Sequence, residues 1–191
     1  MLVNDPIIER RLQHLRDHLL GSHINHTIIN VNSASGSCSE NICKKDEFLS
    51  RAIQTSDYEK GYLKLLSQLT SVGDISKEAF IRRLEQMDKE VYRIVVIEDP
   101  NSHKIVAAAT VFVEVKFVHN CGQVGHIEDV VVDETVRGKH LGVKVIEACK
   151  QFAKEKGCYK IILDCSEKNV QFYQRCGFQK KELQMRFDYE Q

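Results

Sequence analysis

Between His126 and Cys165 the hydrophobic period of the chain changes twice. His126 to Asp133 (HIEDVVVD) is rich in β-branched residues, Leu141 to Lys156 repeats its apolar residues at helical spacing, and Tyr159 to Cys165 is again an apolar strand. A strand, a helix and a strand joined this closely form a crossover unit, and parallel pairing of its two strands is expected. Gly157 stands where a left-handed C-cap ends the helix.

The rest of the chain is read around that unit. Phe48 to Ile53 is a short strand-like run, and Ser56-Asp57 offers N-cap chemistry for a helix whose Tyr58, Tyr62, Leu65, Leu66 and Leu69 line one face. A second helix starts at Ser76 and carries Phe80, Leu84 and Met87 at helical spacing. Val91 to Glu98 and Lys104 to Phe117 read as strands, and the turn chemistry of Asp99-Pro100-Asn101-Ser102 makes them an antiparallel hairpin. After a loop from His119 to Gly125 comes the crossover unit, then a short helix from Asn169 to Arg175 ended by Gly177, and a last strand from Phe178 to Tyr189. The predicted order β-α-α-β-β-β-α-β-α-β is that of an α/β (α+β) sandwich, a mixed central sheet flanked by helices.

A chain of 191 residues with 42% hydrophobic content can bury one core. Residues 1–45 hold four of the eight histidines and the polar stretch Asn32 to Ser37, so they are expected to form a mobile N-terminal extension, with the folded domain at 46–191. Twenty-seven basic residues balance twenty-seven acidic ones, which argues against nucleic acid or an anionic membrane surface as a partner. No run of about 18 apolar residues occurs, so no spanning helix is expected and a cytoplasmic location follows. Seven cysteines is an odd count, and Cys149 and Cys165 sit in apolar runs as small hydrophobes, which suits a reducing compartment. No metal is expected: Cys38 and Cys43 lack a second pair, and His14 and His18 are explained by a solvated helix face around Leu12, Leu15 and Leu19.

The chemistry concentrates in the strand, turn and helix from Val130 to Gly142. Amides at a helix N-terminus carry partial positive charge, glycines let a phosphate approach the backbone, and Arg137 and Lys139 add formal charge. A solvated basic turn accounts for the same residues. Tyr173 is a proton donor or a core aromatic, and Asp164, in the apolar run Ile161 to Cys165, needs a partner or a function. Lys116 and His119 suit an anionic acceptor or a merely solvated loop.

Glu128-Asp129-Val130-Val131-Val132, the R-x-x-x-x-G from Arg137 to Gly142, and Asn169 to Tyr173 together resemble the two coenzyme A motifs of the GNAT superfamily, in the same order. LTSVG (69–73), GHIEDVVV (125–132), CYKIILDC (158–165) and EKNVQFYQRCGF (167–178) are similar to that superfamily's glucosamine 6-phosphate N-acetyltransferases. The resemblance covers Phe48 to the C-terminus. It implies the GNAT fold and direct acetyl transfer from acetyl-CoA to the amine of glucosamine 6-phosphate in a ternary complex, on the route to UDP-N-acetylglucosamine, without an acetyl-enzyme. It assigns the coenzyme to Glu128, Asp129, Val130, Val132, Arg137, Gly138, Lys139, His140, Leu141, Gly142, Asn169 and Tyr173. His140 stands where the superfamily usually has a third glycine. The acceptor is assigned to Thr70, Lys116, Phe117, Val118, His119, Glu128, Asp129, Asp164 and Arg186, with Asp164, Tyr173 and Glu128 in the chemistry and the Val130 amide near the acetyl carbonyl. The resemblance also implies a homodimer with the active site shared across the interface and the C-terminal strand contributing to the partner; the alternation that puts Leu183, Met185 and Phe187 on one side suits an exchanged or interface strand and equally an ordinary edge strand. Acetylation of another amine, a polyamine or a protein lysine, and a non-catalytic coenzyme A module remain as rivals.

Overall fold

The structure, a computed structural model, describes residues 47–189. The extension read at 1–45, with His14, His18, Cys38 and Cys43, lies outside the described residues. The elements are β1 (Ser50–Ala52), α1 (Tyr62–Leu66), α2 (Lys77–Gln86), β2 (Tyr92–Glu98), β3 (Ile105–Val115), β4 (Gln123–Val132), α3 (Leu141–Glu155), β5 (Cys158–Ile162) and α4 (Val170–Arg175). One sheet runs in the order β1-β2-β3-β4-β5, antiparallel throughout except for the parallel pair β4 and β5. That parallel pair is the one expected across the crossover helix.

Both faces of the sheet are covered, which explains why β2 and β3 read as nearly continuous apolar runs. Successive side chains of a strand point to opposite faces. Val95, Ile97, Val111, Val113 and Ile127 meet Val145, Ile146, Cys149 and Phe152 of α3 on one side. Ile94, Val96, Ala108 and Val131 meet Tyr62, Leu65 and Phe80 of α1 and α2 on the other. Each large side chain removed from water in this way contributes roughly 1.5 to 3 kcal/mol. Tyr92, Phe112 and His126 continue the α1 and α2 face beyond the helices, with Phe112 stacked on both neighbours at centroid distances of 5.4 and 4.6 Å.

Local chemistry sets the boundaries. Ser76 accepts a hydrogen bond from the Ala79 amide at 3.2 Å and starts α2, as its N-cap position predicts. In the β2–β3 hairpin the Asp99 carboxylate accepts from the Asn101 amide (2.9 Å) and the Ser102 hydroxyl (3.0 Å).

Four expectations need correction. The helix read from Ser56-Asp57 is a single 310 turn, Thr55–Tyr58, separated from α1 by Gly61 in the left-handed region. Asp57 is fully buried there at the third position of the turn, where its carboxylate accepts from the Gln54 amide that caps the turn (2.8 Å) and twice from the Arg51 guanidinium (2.7 Å each). β4 begins at Gln123, inside the segment read as a loop, because a left-handed turn at Val118–Cys121 closes the β3–β4 hairpin early. Cys165 is exposed, since β5 ends at Ile162, whereas Cys149 is buried as expected. The last strand, Phe178 to Tyr189, is not formed: these residues join no ladder, and Leu183, Met185 and Phe187 are exposed. Alternation specifies a strand only where a neighbouring edge accepts its hydrogen bonds, and none of the described residues does so.

Candidate active site

β4 and β5, the last two strands of the sheet, stay together for only part of the length of β4. Their pairing ends at His126 and Ile162, so β4 from Ile127 to Val132 has no strand beside it on that edge. On its other edge β4 carries a bulge: Glu128 pairs with Thr110 and Val131 with Ala108, so Asp129 and Val130 stand opposite Ala109 alone. Asp129 adopts φ +52°, a left-handed conformation costly for a residue with a β-carbon. Such strain persists where the surrounding structure imposes it, and it clusters at functional sites. Backbone amides released from a ladder need another acceptor.

Three of the expected residues gather at this parting. Glu128 and Asp164 are open to solvent, and their negative charges interact. The Glu128 pKa is raised, first by partial burial and then by Asp164 and Asp129, with His126 opposing. A raised carboxyl pKa means that the basic form is lost as pH falls through a value above the ordinary glutamate range. Asp164→Asn removes one of the two negative neighbours and is expected to lower the Glu128 pKa. Carbon-detected NMR titration of the Glu128 carboxyl measures this, and an unmoved curve would mean that the two carboxylates are not coupled. Asp164 itself has no hydrogen-bond partner among the described residues, so no loop amide occupies it.

Tyr173, on α4, has its ring packed edge-on against Phe172 at 4.9 Å and Phe178 at 6.1 Å. Its phenol is pushed up to about 12 by burial, with the charges of Cys165, Cys176 and Glu128 adding to the effect. The group is therefore protonated at neutral pH and able to donate. Asn169, exposed, immediately precedes α4 and caps it with no side-chain bond.

The turn after Val132 leads into α3. Asp133 accepts from the Thr135 amide at 2.9 Å, and Gln68 ties the segment after α1 to this turn through the Asp133 carboxylate (2.9 Å) and the Glu134 amide (3.1 Å). Nothing in the sequence pattern marked Gln68. α3 begins without any side-chain cap, in contrast to α2. Its first-turn amides, from Leu141 on, are thus left for a ligand. Gly138 has φ +87° and open space where a β-carbon would stand, so a phosphate can approach its backbone. Arg137 and Lys139 are exposed beside it, with Lys139 5.1 Å from the Phe48 ring centroid. These features fit a coenzyme pyrophosphate. Gly142 meets a different need: a β-carbon there would lie 3.0 Å from the Phe172 ring, so this glycine lets α4 pack against α3. His140 holds φ +59°, the conformation that glycine adopts without cost. His140→Gly is expected to raise stability by about 0.5 to 1 kcal/mol, the left-handed strain released less the extra freedom of the unfolded chain. Urea denaturation measures it, and a loss of stability would show that the imidazole makes a compensating contact.

The remaining expected residues lie apart. Lys116 precedes the Val118–Cys121 turn, with its ammonium 2.5 Å from Glu114. It stands six positions beyond Thr110, the partner of Glu128, or roughly 20 Å at about 3.3 Å per residue. Phe117 and Val118 are exposed, and His119 packs on Tyr159 at 4.3 Å. Thr70 is exposed two residues after Gln68, with its amide bonded to the Leu66 carbonyl at 3.2 Å. Arg186 lies in the exposed tail and pairs with Asp188 at 2.7 Å. A cavity of about 630 Å³ opens between the 310 turn, α2 and the β2–β3 hairpin, but two of its lysines, Lys60 and Lys77, are engaged by Glu98 and Glu59. Among the described residues no three metal-ligating side chains converge, and no helix is long and apolar enough to cross a membrane.

Comparison with known proteins identifies the family. Residues 60–178 match the family described as acetyltransferase (GNAT) family. Glucosamine 6-phosphate N-acetyltransferase 1 of Dictyostelium discoideum is 47% identical over 137 residues, 71% of this chain and 87% of the relative. The Arabidopsis thaliana glucosamine 6-phosphate N-acetyltransferase is 47% identical over 142 residues, 73% of this chain and 95% of the relative. A crystal structure of glucosamine-6-phosphate N-acetyltransferase from Arabidopsis thaliana superposes with a TM-score of 0.74 at 46% identity, covering 76% of this chain and all of the other. Matched over more than half its length by the family and 47% identical to such relatives over the 137 and 142 aligned residues, this chain belongs to the GNAT family of acetyltransferases.

Proposed function

We propose that this protein transfers the acetyl group of acetyl-CoA to the amine of D-glucosamine 6-phosphate, giving N-acetyl-D-glucosamine 6-phosphate. The observation that carries the chemistry is the parting of β4 from β5, where Glu128, Asp164 and Tyr173 gather around unpaired strand amides. The acceptor is taken from the names of relatives that are 47% identical over 137 and 142 residues. Bound coenzyme supplies an activated acetyl thioester. Gly138 and the first-turn amides of α3 hold its pyrophosphate with Arg137 and Lys139, and Asn169 supports the same ligand. The Val130 amide donates to the acetyl carbonyl, and Asp164 orients the acceptor amine. Glu128 takes up the proton that the amine sheds, and Tyr173 supplies one to the departing sulfur. A direct transfer of this kind needs no cysteine nucleophile.

Lys116, Phe117, Val118 and His119 stand too far along the hairpin to reach an acceptor at Glu128 of their own chain. Their phosphate-binding role therefore calls for a homodimer in which one protomer's hairpin and C-terminal segment, with Arg186, complete the partner's site, while Thr70 acts beside Asp133. The exposed Leu183, Met185 and Phe187 support that reading, as a tail that alternates but has no edge to pair with. Five free thiols among the described residues support a cytoplasmic setting, in which the product feeds UDP-N-acetylglucosamine synthesis.

A thiol-release assay with acetyl-CoA tests the activity. Turnover is expected with glucosamine 6-phosphate and far less with glucosamine or spermidine. Equal rates with spermidine would replace the acceptor, and coenzyme binding by calorimetry without turnover on any amine would leave only a binding module.

A further inference from the structure

We propose that Tyr62 is an additional acceptor-binding residue, its phenol donating a hydrogen bond to a hydroxyl of the amino sugar beside Glu128 and Asp129. This rests on the reading that the acceptor enters where β4 and β5 part.

α1 is fastened at both ends across the sheet. The Ile105 amide donates to the Lys60 carbonyl at 2.9 Å before the helix, and Gln68 binds Asp133 and Glu134 after it. Between these ties the Tyr62 ring is 5% exposed and belongs to the cluster that contains Ala108 and Val131. Those two residues are paired in register, and the next pair toward the hairpin on the same face of β3 is Thr110 with Glu128. The ring thus covers the row of the sheet adjoining Glu128. Burial first, and then the charge of Asp129, raises the phenol pKa, so it remains a donor at neutral pH.

The hydroxyl is the part of Tyr62 that packing does not explain. Tyr58, nearby, donates its phenol to the Ile75 carbonyl at 3.1 Å. The Tyr62 oxygen has no partner among the described residues, while no enclosed polar side-chain atom is left without one, which puts this oxygen at the open edge of the ring. Phenylalanine would fill the same space. A hydroxyl held on a buried, fixed ring can both donate to and accept from a sugar hydroxyl, so it suits an acceptor rich in hydroxyls.

Tyr62→Phe isolates this function. The KM for glucosamine 6-phosphate is expected to rise about 3- to 10-fold, the loss of one neutral hydrogen bond, while kcat, the KM for acetyl-CoA and Tm stay nearly unchanged. Glucosamine 6-phosphate analogues deoxygenated singly at C1, C3 and C4 identify the partner: one should lose the same factor with wild-type protein and lose nothing further with Tyr62→Phe. An unchanged sugar KM in a wild-type background that turns over would overturn this assignment alone. A lowered Tm with both KM values raised together would make Tyr62 purely structural. Failure of the wild-type protein to acetylate the sugar would remove the underlying activity and this inference with it.

Discussion

Tyr173→Phe is expected to lower kcat for glucosamine 6-phosphate by about 10- to 1000-fold, because it removes one proton donor and little else. The ring keeps its edge-on contacts with Phe172 and Phe178, so α4 should stay in place and coenzyme affinity by calorimetry should be unchanged. A phenol pushed up to about 12 also predicts that no alkaline loss of activity near pH 10 belongs to this group in the free enzyme. Wild-type turnover in Tyr173→Phe would remove Tyr173 from the chemistry and leave it as a core aromatic.

Phe152→Ala is expected to destabilise the protein by about 3 to 5 kcal/mol in urea denaturation, a large part of the total stability of an ordinary domain. The side chain is 2% exposed in the core between α3 and the sheet. Its ring also lies beneath the Arg93 guanidinium at 4.6 Å and the Lys156 ammonium at 5.4 Å, and truncation forfeits both contacts. A loss below about 1 kcal/mol would mean that the core collapses into the space. The two variants separate function from folding: one should lose catalysis while remaining stable, and the other should lose stability while its native fraction remains active.

Much of the scaffold was legible because local rules and tertiary packing agree there. Asp99 to Ser102 announced the β2–β3 hairpin by side-chain turn bonds that form within four residues, and Gly157 announced the end of α3. Where a distant partner decides, reading failed. Asp57 looked like the start of a helix and is instead a buried anion inside a 310 turn, held by an Arg51 guanidinium that the Glu98 carboxylate on β2 also binds. Leu183 to Tyr189 looked like a strand by alternation, yet no edge among the described residues accepts it.

The candidate site divides in the same way. The Val130 to Gly142 run by itself determined a strand that enters a helix through a glycine-bearing, basic turn, because period and turn chemistry are local properties. Tertiary structure alone decided that β4 parts from β5 after His126, that a bulge at Asp129 offsets the pairing, that Gly142 makes room for Phe172, and that Tyr62 overlies the row next to Glu128. Each of these depends on which strand or helix lies alongside. That choice follows from the packing of residues far apart in the chain, and no single segment encodes it.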